Sequence, residues 1–202
     1  MPGKDQPNVL LFNKWDVRKI EVNDPGLQNV IALLPAVVIP ITFGRHEHQR
    51  MKKAEVHIVE RLANKLMHFG KRYAKNTGRM GGKKARVFKT IETALDILNL
   101  ETGKNPMELL VKAVENASPN EDTTRIVYGG VVYHVSVDVA PLRRVDLALR
   151  FIAEGVREST YSSLQSIEEV LAKEILLASG NDMSSYAIKK KNEQERIAMS
   201  SR

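Results

Sequence analysis

Residues 71–89 carry the densest group of cations in the chain, and they include no acidic residue. Lysine and arginine side chains that neutralise phosphates release condensed counterions, so such a group can drive binding to nucleic acid. Three glycines within it allow a phosphodiester to approach the backbone closely. The alternative is a solvated surface loop. We call residues 71–89 the cationic segment and predict that it binds nucleic acid through Lys71, Arg72, Lys75, Arg79, Lys83, Lys84, Arg86 and Lys89.

Two further sets of cations could contact phosphates. Arg143 and Arg144 suit the paired oxygens of a phosphate, and they could equally form surface ion pairs with Asp138 or Asp146. Near the C-terminus, cations alternate with acids, which favours a charged helix on a partner, a phosphate contact or a solvated tail. These cations are Lys189, Lys190, Lys191, Arg196 and Arg202.

No arrangement of residues indicates catalysis. The chain has no cysteine, which excludes disulfides, thiolate metal sites and cysteine nucleophiles. His46, Glu47 and His48 lack the spacing of a zinc-binding helix, and neither a nucleophile elbow nor a dinucleotide fingerprint is present. We therefore predict no catalytic residue, no metal site and no cofactor, and we expect that the protein is not an enzyme.

The composition indicates a folded, nearly neutral body with one strongly basic part. The 202 residues include 31 Lys and Arg against 24 Asp and Glu, a net charge of +7. Removing the eight charges of the cationic segment leaves about −1. Apolar residues make up 43% of the chain, enough for a core. The most apolar stretch, residues 30–41, is interrupted by Pro35 and Pro40, so we expect a cytoplasmic protein with no membrane partner.

The pattern of apolar residues places these candidates on a helical body. Prolines interrupt residues 1–49, which we interpret as an irregular extension that lies on the main body or on a partner. Residues 50–202 are predicted to form a helical domain that binds nucleic acid. Helical spacing predicts helices over about 50–69, 85–100, 105–117, from Pro141, from Ser166 and over 184–202. The cationic segment would then connect the first two helices.

Between the third and fourth helices the period changes to that of strands. Residues 124–128 and 131–139 are rich in β-branched side chains, and Gly129-Gly130 between them is typical of a tight hairpin. A hairpin over about 124–139 would project from the helices. The predicted fold is mainly α, a bundle of about six helices with one protruding β-hairpin and an irregular N-terminal extension.

Several segments resemble one known family. Residues 121–144 read EDTTRIVYGGVVYHVSVDVAPLRR, and this run is similar to the hairpin-and-arginine region of the universal small-subunit ribosomal protein seven family. The segments HIVERLANKLMHFG, TGKNPMELLVKAVENASP and SYAIKKKNEQERIAMSSR resemble its archaeal and eukaryotic branch. The form of the hairpin is closer to archaeal members.

The resemblance implies a structural constituent of the small ribosomal subunit. Such a protein would be a primary binder of the 3′ major domain of small-subunit rRNA and would nucleate assembly of the head. The family's basic loop matches the cationic segment, and its Pro-x-Arg-Arg element matches Pro141, Arg143 and Arg144. A second rRNA contact would fit Arg45, Lys52 and Lys53.

The resemblance also implies two further contacts. The hairpin would reach the exit-site tRNA and the mRNA exit path through Arg125, Tyr128, Gly129, Gly130 and Val131. Because the tip has no lysine or arginine, steric or backbone contact is the favoured form. The C-terminal part would contact the neighbouring small-subunit protein eleven. The alternative function is a helical DNA-binding regulator with a β-wing, and a metal-dependent nuclease is a third possibility.

Overall fold

The computed structural model describes residues 9–67 and 80–202. Within these ranges an N-terminal segment without helices or sheet precedes six α-helices and one β-hairpin, which confirms the predicted fold class. The elements are α1 (Ile58–Leu66), α2 (Lys84–Thr102), α3 (Pro106–Ala117), β1 (Glu121–Tyr128), β2 (Val131–Asp138), α4 (Pro141–Thr160), α5 (Ile167–Ser179) and α6 (Tyr186–Ser200). A short 3-10 turn, Lys52–Glu55, precedes α1.

The central element of the bundle is α5, which packs against α2, α3, α4 and α6. Its Val170, Leu171 and Ile175 are buried, and aliphatic side chains from every helix complete one continuous core. The helix begins with a capping box, in which Ser166 and Glu169 satisfy each other's backbone N–H groups as the sequence predicts. None of the helices in the described ranges is long and apolar enough to span a bilayer.

The start of α1 differs from the prediction. The apolar spacing predicted a helix from about residue 50, but α1 begins at Ile58. Met51 has a left-handed backbone (φ 64°) and is exposed, and Val56 is extended. His57 pairs with Ala32 in an isolated parallel bridge and caps α1, because its Nδ1 accepts a hydrogen bond from the Val59 N–H at 3.2 Å. The pairing of His57 with Ala32 and the cap therefore set the start of α1 at Ile58, although apolar spacing alone would extend the helix back to about residue 50.

The N-terminal segment supplies part of the core. Leu11 and Leu27 are fully buried, and the ring of Phe12 meets Phe88 of α2 edge to face at 6.4 Å. Lys14 extends the contact with α2 through a 2.7 Å hydrogen bond to a carboxylate of that helix. The segment is irregular, as predicted, and it lies on the body.

The hairpin is a regular antiparallel pair. Its register runs from Glu121 opposite Asp138 to Tyr128 opposite Val131. Gly129 and Gly130 both have positive φ (58° and 82°), the geometry of a type I′ turn. Among the described elements α6 makes the main contact with the strands, and both faces of the outer half of the hairpin are exposed. The hairpin therefore projects from the bundle, with α6 at its base.

Candidate nucleic-acid interface

Half of the cationic segment lies in the described ranges. Lys83 is the N-cap residue of α2, and Arg86 and Lys89 follow it at three-residue spacing, so the three share one side of the helix. All three side chains are exposed. We call them the α2 ridge. Four predicted RNA contacts lie outside the described residues: Lys71, Arg72, Lys75 and Arg79.

A second group of cations comes together between α1 and α4. Lys65 of α1 and Arg150 and Arg157 of α4 line one cleft, and Lys53 and Lys84 line a neighbouring cleft that shares Lys65. Burial lowers the pKa of Lys65, and the positive charges of Lys53 and Arg150 add to this effect. We call Lys53, Lys65, Arg150 and Arg157 the α1–α4 cationic face.

Two carboxylates compensate part of this charge. Asp146 accepts hydrogen bonds from Lys53 at 2.7 Å and from Arg61 at 3.4 Å. Burial alone would raise the pKa of Asp146, but the Lys53 hydrogen bond and the charge of Arg61 hold it below its usual value. Glu154 pairs with Arg150 at 2.9 Å, one helical turn away.

Positive charge nevertheless remains in excess on this face. Five cations, including Arg61, face Asp146, Glu154 and a third carboxylate, Glu47, which also lines the second cleft. The buried Nε of Arg157 has no hydrogen-bond partner among the described residues. A face with excess cations, among them the exposed Arg150, suits an anion with several oxygens, such as a phosphodiester.

Arg143 and Arg144 point to different surroundings. Arg144 donates to Asp24 at 2.8 Å and to the Ser118 hydroxyl at 3.2 Å, and only 15% of its side chain is exposed. It ties the N-terminal segment to the corner before β1. Arg143 is 66% exposed and makes one long contact, 3.5 Å, to Asp122. Of the pair, Arg143 is the residue that presents its charge to solvent.

The hairpin tip is exposed and apolar. Tyr128 is 80% exposed and Val131 is 53% exposed, while Gly129 and Gly130 form the turn. Arg125 is exposed and stands opposite His134 in the register, three residues from the tip. The outermost part of the hairpin thus offers backbone groups and apolar surface.

The C-terminal cations have unlike surroundings. Lys191 donates to the Asn116 carbonyl at 2.8 Å, and Arg202 pairs with Glu121 at the base of β1. Lys190 pairs with a carboxylate one turn away at 2.6 Å. Lys189 and Arg196 are exposed. Lys191 and Arg202 therefore join α6 to neighbouring elements.

The remaining candidates lie before α1. Arg45 is exposed, Lys52 is half-buried in the 3-10 turn, and Lys53 belongs to the α1–α4 cationic face. The structure brings Lys53 and Lys84 together around one cleft. It does not bring the C-terminal cations to this cleft.

Comparison with known proteins decides the family. Residues 35–202 match the family model described as ribosomal protein S7p/S5e. The chain belongs to this family. It is 61% identical over 195 residues to the small ribosomal subunit protein uS7 of Cenarchaeum symbiosum, an alignment that covers 96% of this chain and 98% of that one.

Two further relatives carry the same name. The uS7 proteins of Methanosphaera stadtmanae and Methanothermobacter thermautotrophicus are 48% and 47% identical, over 94% and 95% of this chain and 97% and 98% of theirs. All three relatives are archaeal, which confirms the predicted likeness of the chain to archaeal members of the family.

Membership of the S7p/S5e family confirms that the chain is not an enzyme, because this is a family of structural proteins. Within residues 9–67 and 80–202, no group of three His, Asp or Glu side chains is arranged to hold a metal ion.

Sequence reasoning missed three residues of the α1–α4 cationic face. Lys65 shares α1 with the buried Arg61, four residues earlier, and no motif marks it as a contact. Arg150 and Arg157, however, follow Arg143 at seven-residue intervals. Seven residues are nearly two helical turns, so this repeat predicts three arginines along one side of α4. That α1 lies against this side is a matter of packing, and no local pattern predicts it.

Proposed function

We propose that the chain is a structural constituent of the small ribosomal subunit that binds its rRNA through the α2 ridge and the α1–α4 cationic face. Membership of the S7p/S5e family and the printed name of its archaeal relatives support the ribosomal role. The observation that carries the proposed interface is the convergence of Lys53, Lys65, Arg150 and Arg157 from separate elements around adjoining clefts. Such a face reads phosphate position and RNA shape.

We further propose that the RNA is the 3′ major domain and that binding nucleates assembly of the head. The resemblance to the S7p/S5e family supports this target, and the exposed charges on α2 and the face between α1 and α4 would supply the contacts. Arg143 and Arg45 would extend the contact. The protein would act in the cytoplasm, on the ribosome.

The decisive experiment measures the affinity of the full chain for a 3′ major domain transcript as a function of salt. The variant Lys65→Ala/Arg150→Ala/Arg157→Ala removes three charges from the α1–α4 cationic face. Because each phosphate contact contributes about 0.7 to 0.9 to the slope of log K against log salt, the slope should fall by about 2. Affinity near physiological salt should fall by more than about tenfold.

A matched control removes three exposed lysines that border neither cleft. Lys104, Lys112 and Lys173 lie before α3, on α3 and on α5, and all three are exposed. The triple alanine control should leave the slope unchanged. Equal losses in the two triple variants would overturn the proposed interface. Tighter binding to duplex DNA than to the transcript would favour the regulator with a β-wing.

We propose that the hairpin reaches the exit-site tRNA and the mRNA through steric and backbone contacts. The exposed, apolar tip supports this form of contact. Deleting two residues from each strand next to the Gly129-Gly130 turn shortens the hairpin and preserves the alternation of its faces. Subunits carrying this variant should assemble normally but lose cross-links from the tip to tRNA. Unchanged cross-linking to tRNA would refute the contact.

We propose that the C-terminal helix contacts the neighbouring protein eleven of the subunit. The exposed side chains Lys189 and Arg196 on α6 support this contact. Changing both to alanine should weaken co-purification of protein eleven with assembled subunits, whereas the Lys104 and Lys112 variants should not. Equal recovery of protein eleven would count against it.

We also retain, as a proposal, the division into an extension over residues 1–49 and an RNA-binding domain over 50–202. The absence of helices from residues 9–49 of the described chain supports it. A chain that starts at residue 50 should then keep rRNA binding, at lower stability because Leu11 and Leu27 leave the core.

A further inference from the structure

A buried carboxylate of α1 joins three parts of the chain. Glu60 is 1% exposed, and its two oxygens accept hydrogen bonds from the Thr42 N–H at 3.1 and 3.0 Å. Oε1 also accepts from the Thr42 hydroxyl at 3.0 Å and from the Lys84 ammonium at 2.5 Å. Glu60 therefore connects the N-terminal segment, α1 and the first residue of α2.

Lys84 differs in this respect from its neighbours in the cationic segment. Its side chain is 26% exposed, its Nζ lies on Glu60, and the same Nζ is 5.9 Å from the ring centroid of Phe88. Lys83 and Arg86, the adjacent cations, are exposed. Glu60 thus holds the charge of Lys84 at the wall of the cleft that it shares with Lys53, while the charges of the α2 ridge are directed outwards.

We infer that Lys84 is a positioning residue of the RNA interface and does not itself neutralise a phosphate. The inference rests on the proposed function. The Glu60–Lys84 pair fixes the first turn of α2 against α1, and this turn sets the direction of the α2 ridge. The ridge is thereby ordered before RNA arrives, which reduces the ordering that binding must supply.

The chemistry of Glu60 argues against a second role for Lys84. Moving the ammonium to a phosphate would leave a buried carboxylate without its cationic partner, which is strongly unfavourable. A phosphate that approached Lys84 in place would also meet the negative charge of Glu60. Lys83, by contrast, can contact a phosphate without breaking an interaction within the fold.

The test compares Lys84→Met with Lys83→Met in the salt dependence of binding to the 3′ major domain transcript. Methionine keeps the apolar stem and removes the charge. We expect Lys83→Met to lower the slope of log K against log salt by about 0.7 to 0.9, the value of one phosphate contact. Lys84→Met should lower the affinity at every salt concentration and leave the slope unchanged.

A second readout is independent of RNA. Hydrogen exchange of the Val87 amide, which donates to the Lys83 carbonyl, and of the amides that follow it in α2 should accelerate in Lys84→Met and stay unchanged in Lys83→Met. Lys84→Arg, which can still pair with Glu60, should restore both slow exchange and affinity. If Lys84→Met does not fold, the double variant Glu60→Gln/Lys84→Met removes both charges together and takes its place in the same measurement.

The outcomes are distinct. An unchanged slope with faster exchange supports the positioning role. A slope that falls in Lys84→Met, or in the double variant, as far as in Lys83→Met overturns it, because Lys84 would then be a phosphate ligand. Failure of the unmodified chain to bind the transcript would refute the proposed function, a result that the comparison of Lys83 and Lys84 cannot mimic.

Discussion

Gly155 provides the sharpest test of the packing described above. It lies in the middle of α4 and is buried, where glycine usually weakens a helix by about 1 kcal/mol relative to alanine. Sequence rules therefore recommend Gly155→Ala as a stabilising change. The structure predicts the opposite, because the position faces the beginning of α6 and a side chain of α5.

The steric conflict can be sized from the surroundings. A Cβ on residue 155 would lie 2.8 Å from the Cβ of Tyr186 and 3.2 Å from Oε1 of Glu174. Glu174 cannot move freely, since it accepts hydrogen bonds from the Ser185 hydroxyl at 2.8 Å and the Ala187 N–H at 3.0 Å. The same two bonds hold the backbone on both sides of Tyr186. Overpacking of this kind costs about 1 to 3 kcal/mol. Because the 2.8 Å approach is to a Cβ and not to the flexible end of a side chain, the cost lies in the upper part of this range, about 2 to 3 kcal/mol. Subtracting the gain in helix propensity of about 1 kcal/mol leaves a net destabilisation of about 1 to 2 kcal/mol.

The assay is urea unfolding of the full chain, followed by far-ultraviolet circular dichroism. The midpoint should fall with an unchanged m value, and the melting temperature should fall by about 3 to 6 °C. Gly180→Ala is the matched control. Gly180 has an ordinary right-handed backbone (φ −80°), and its added Cβ would meet only carbonyls at 3.6 and 3.7 Å. It should be neutral or stabilising by up to about 1 kcal/mol. A Gly155→Ala protein as stable as the unmodified chain would refute the reasoning.

Two further predictions concern local contacts. Burial lowers the pKa of His57 to about 4, against the opposing charge of Glu60, so the unfolded chain binds more protons between about pH 4 and 6.5. The free energy of unfolding should therefore be highest above about pH 6.5 and fall by up to about 3 kcal/mol as the pH drops from about 6.5 to about 4. The variant His57→Asn, which can still cap α1, should flatten the dependence of the urea midpoint on pH. Ser166→Ala removes the capping box of α5 and should lower the free energy of unfolding by about 1 kcal/mol. The control Ser159→Ala, at an exposed position, should change it by less than about 0.5 kcal/mol. Equal effects of the two variants would contradict the cap.

Local signals predicted most elements because they act over a few residues. Pro106 at the first position of α3, the Ser166–Glu169 box and the Gly129-Gly130 turn each specify a backbone geometry without outside help. The start of α1 could not be predicted in this way. His57 leaves the helix because it pairs with Ala32, 25 residues earlier in the chain, and such a partner has no local signature.

The features of the candidate site likewise fall into those that local sequence determines and those that only packing decides. The sequence by itself determined that the chain is cationic and that its charge is concentrated in residues 71–89. It also determined that Arg143, Arg150 and Arg157 recur on one side of a helix. Both follow from the sequence because composition and period are local properties. Only the tertiary structure decided which charges are directed outwards. Packing of α1 on α4 brings Lys65 to Arg150 and Arg157. By contrast, Lys84 and Arg144 form ion pairs within the fold, with Glu60 and Asp24 respectively. A buried carboxylate selects its cation by proximity in the fold, and proximity between distant residues is set by packing of the core.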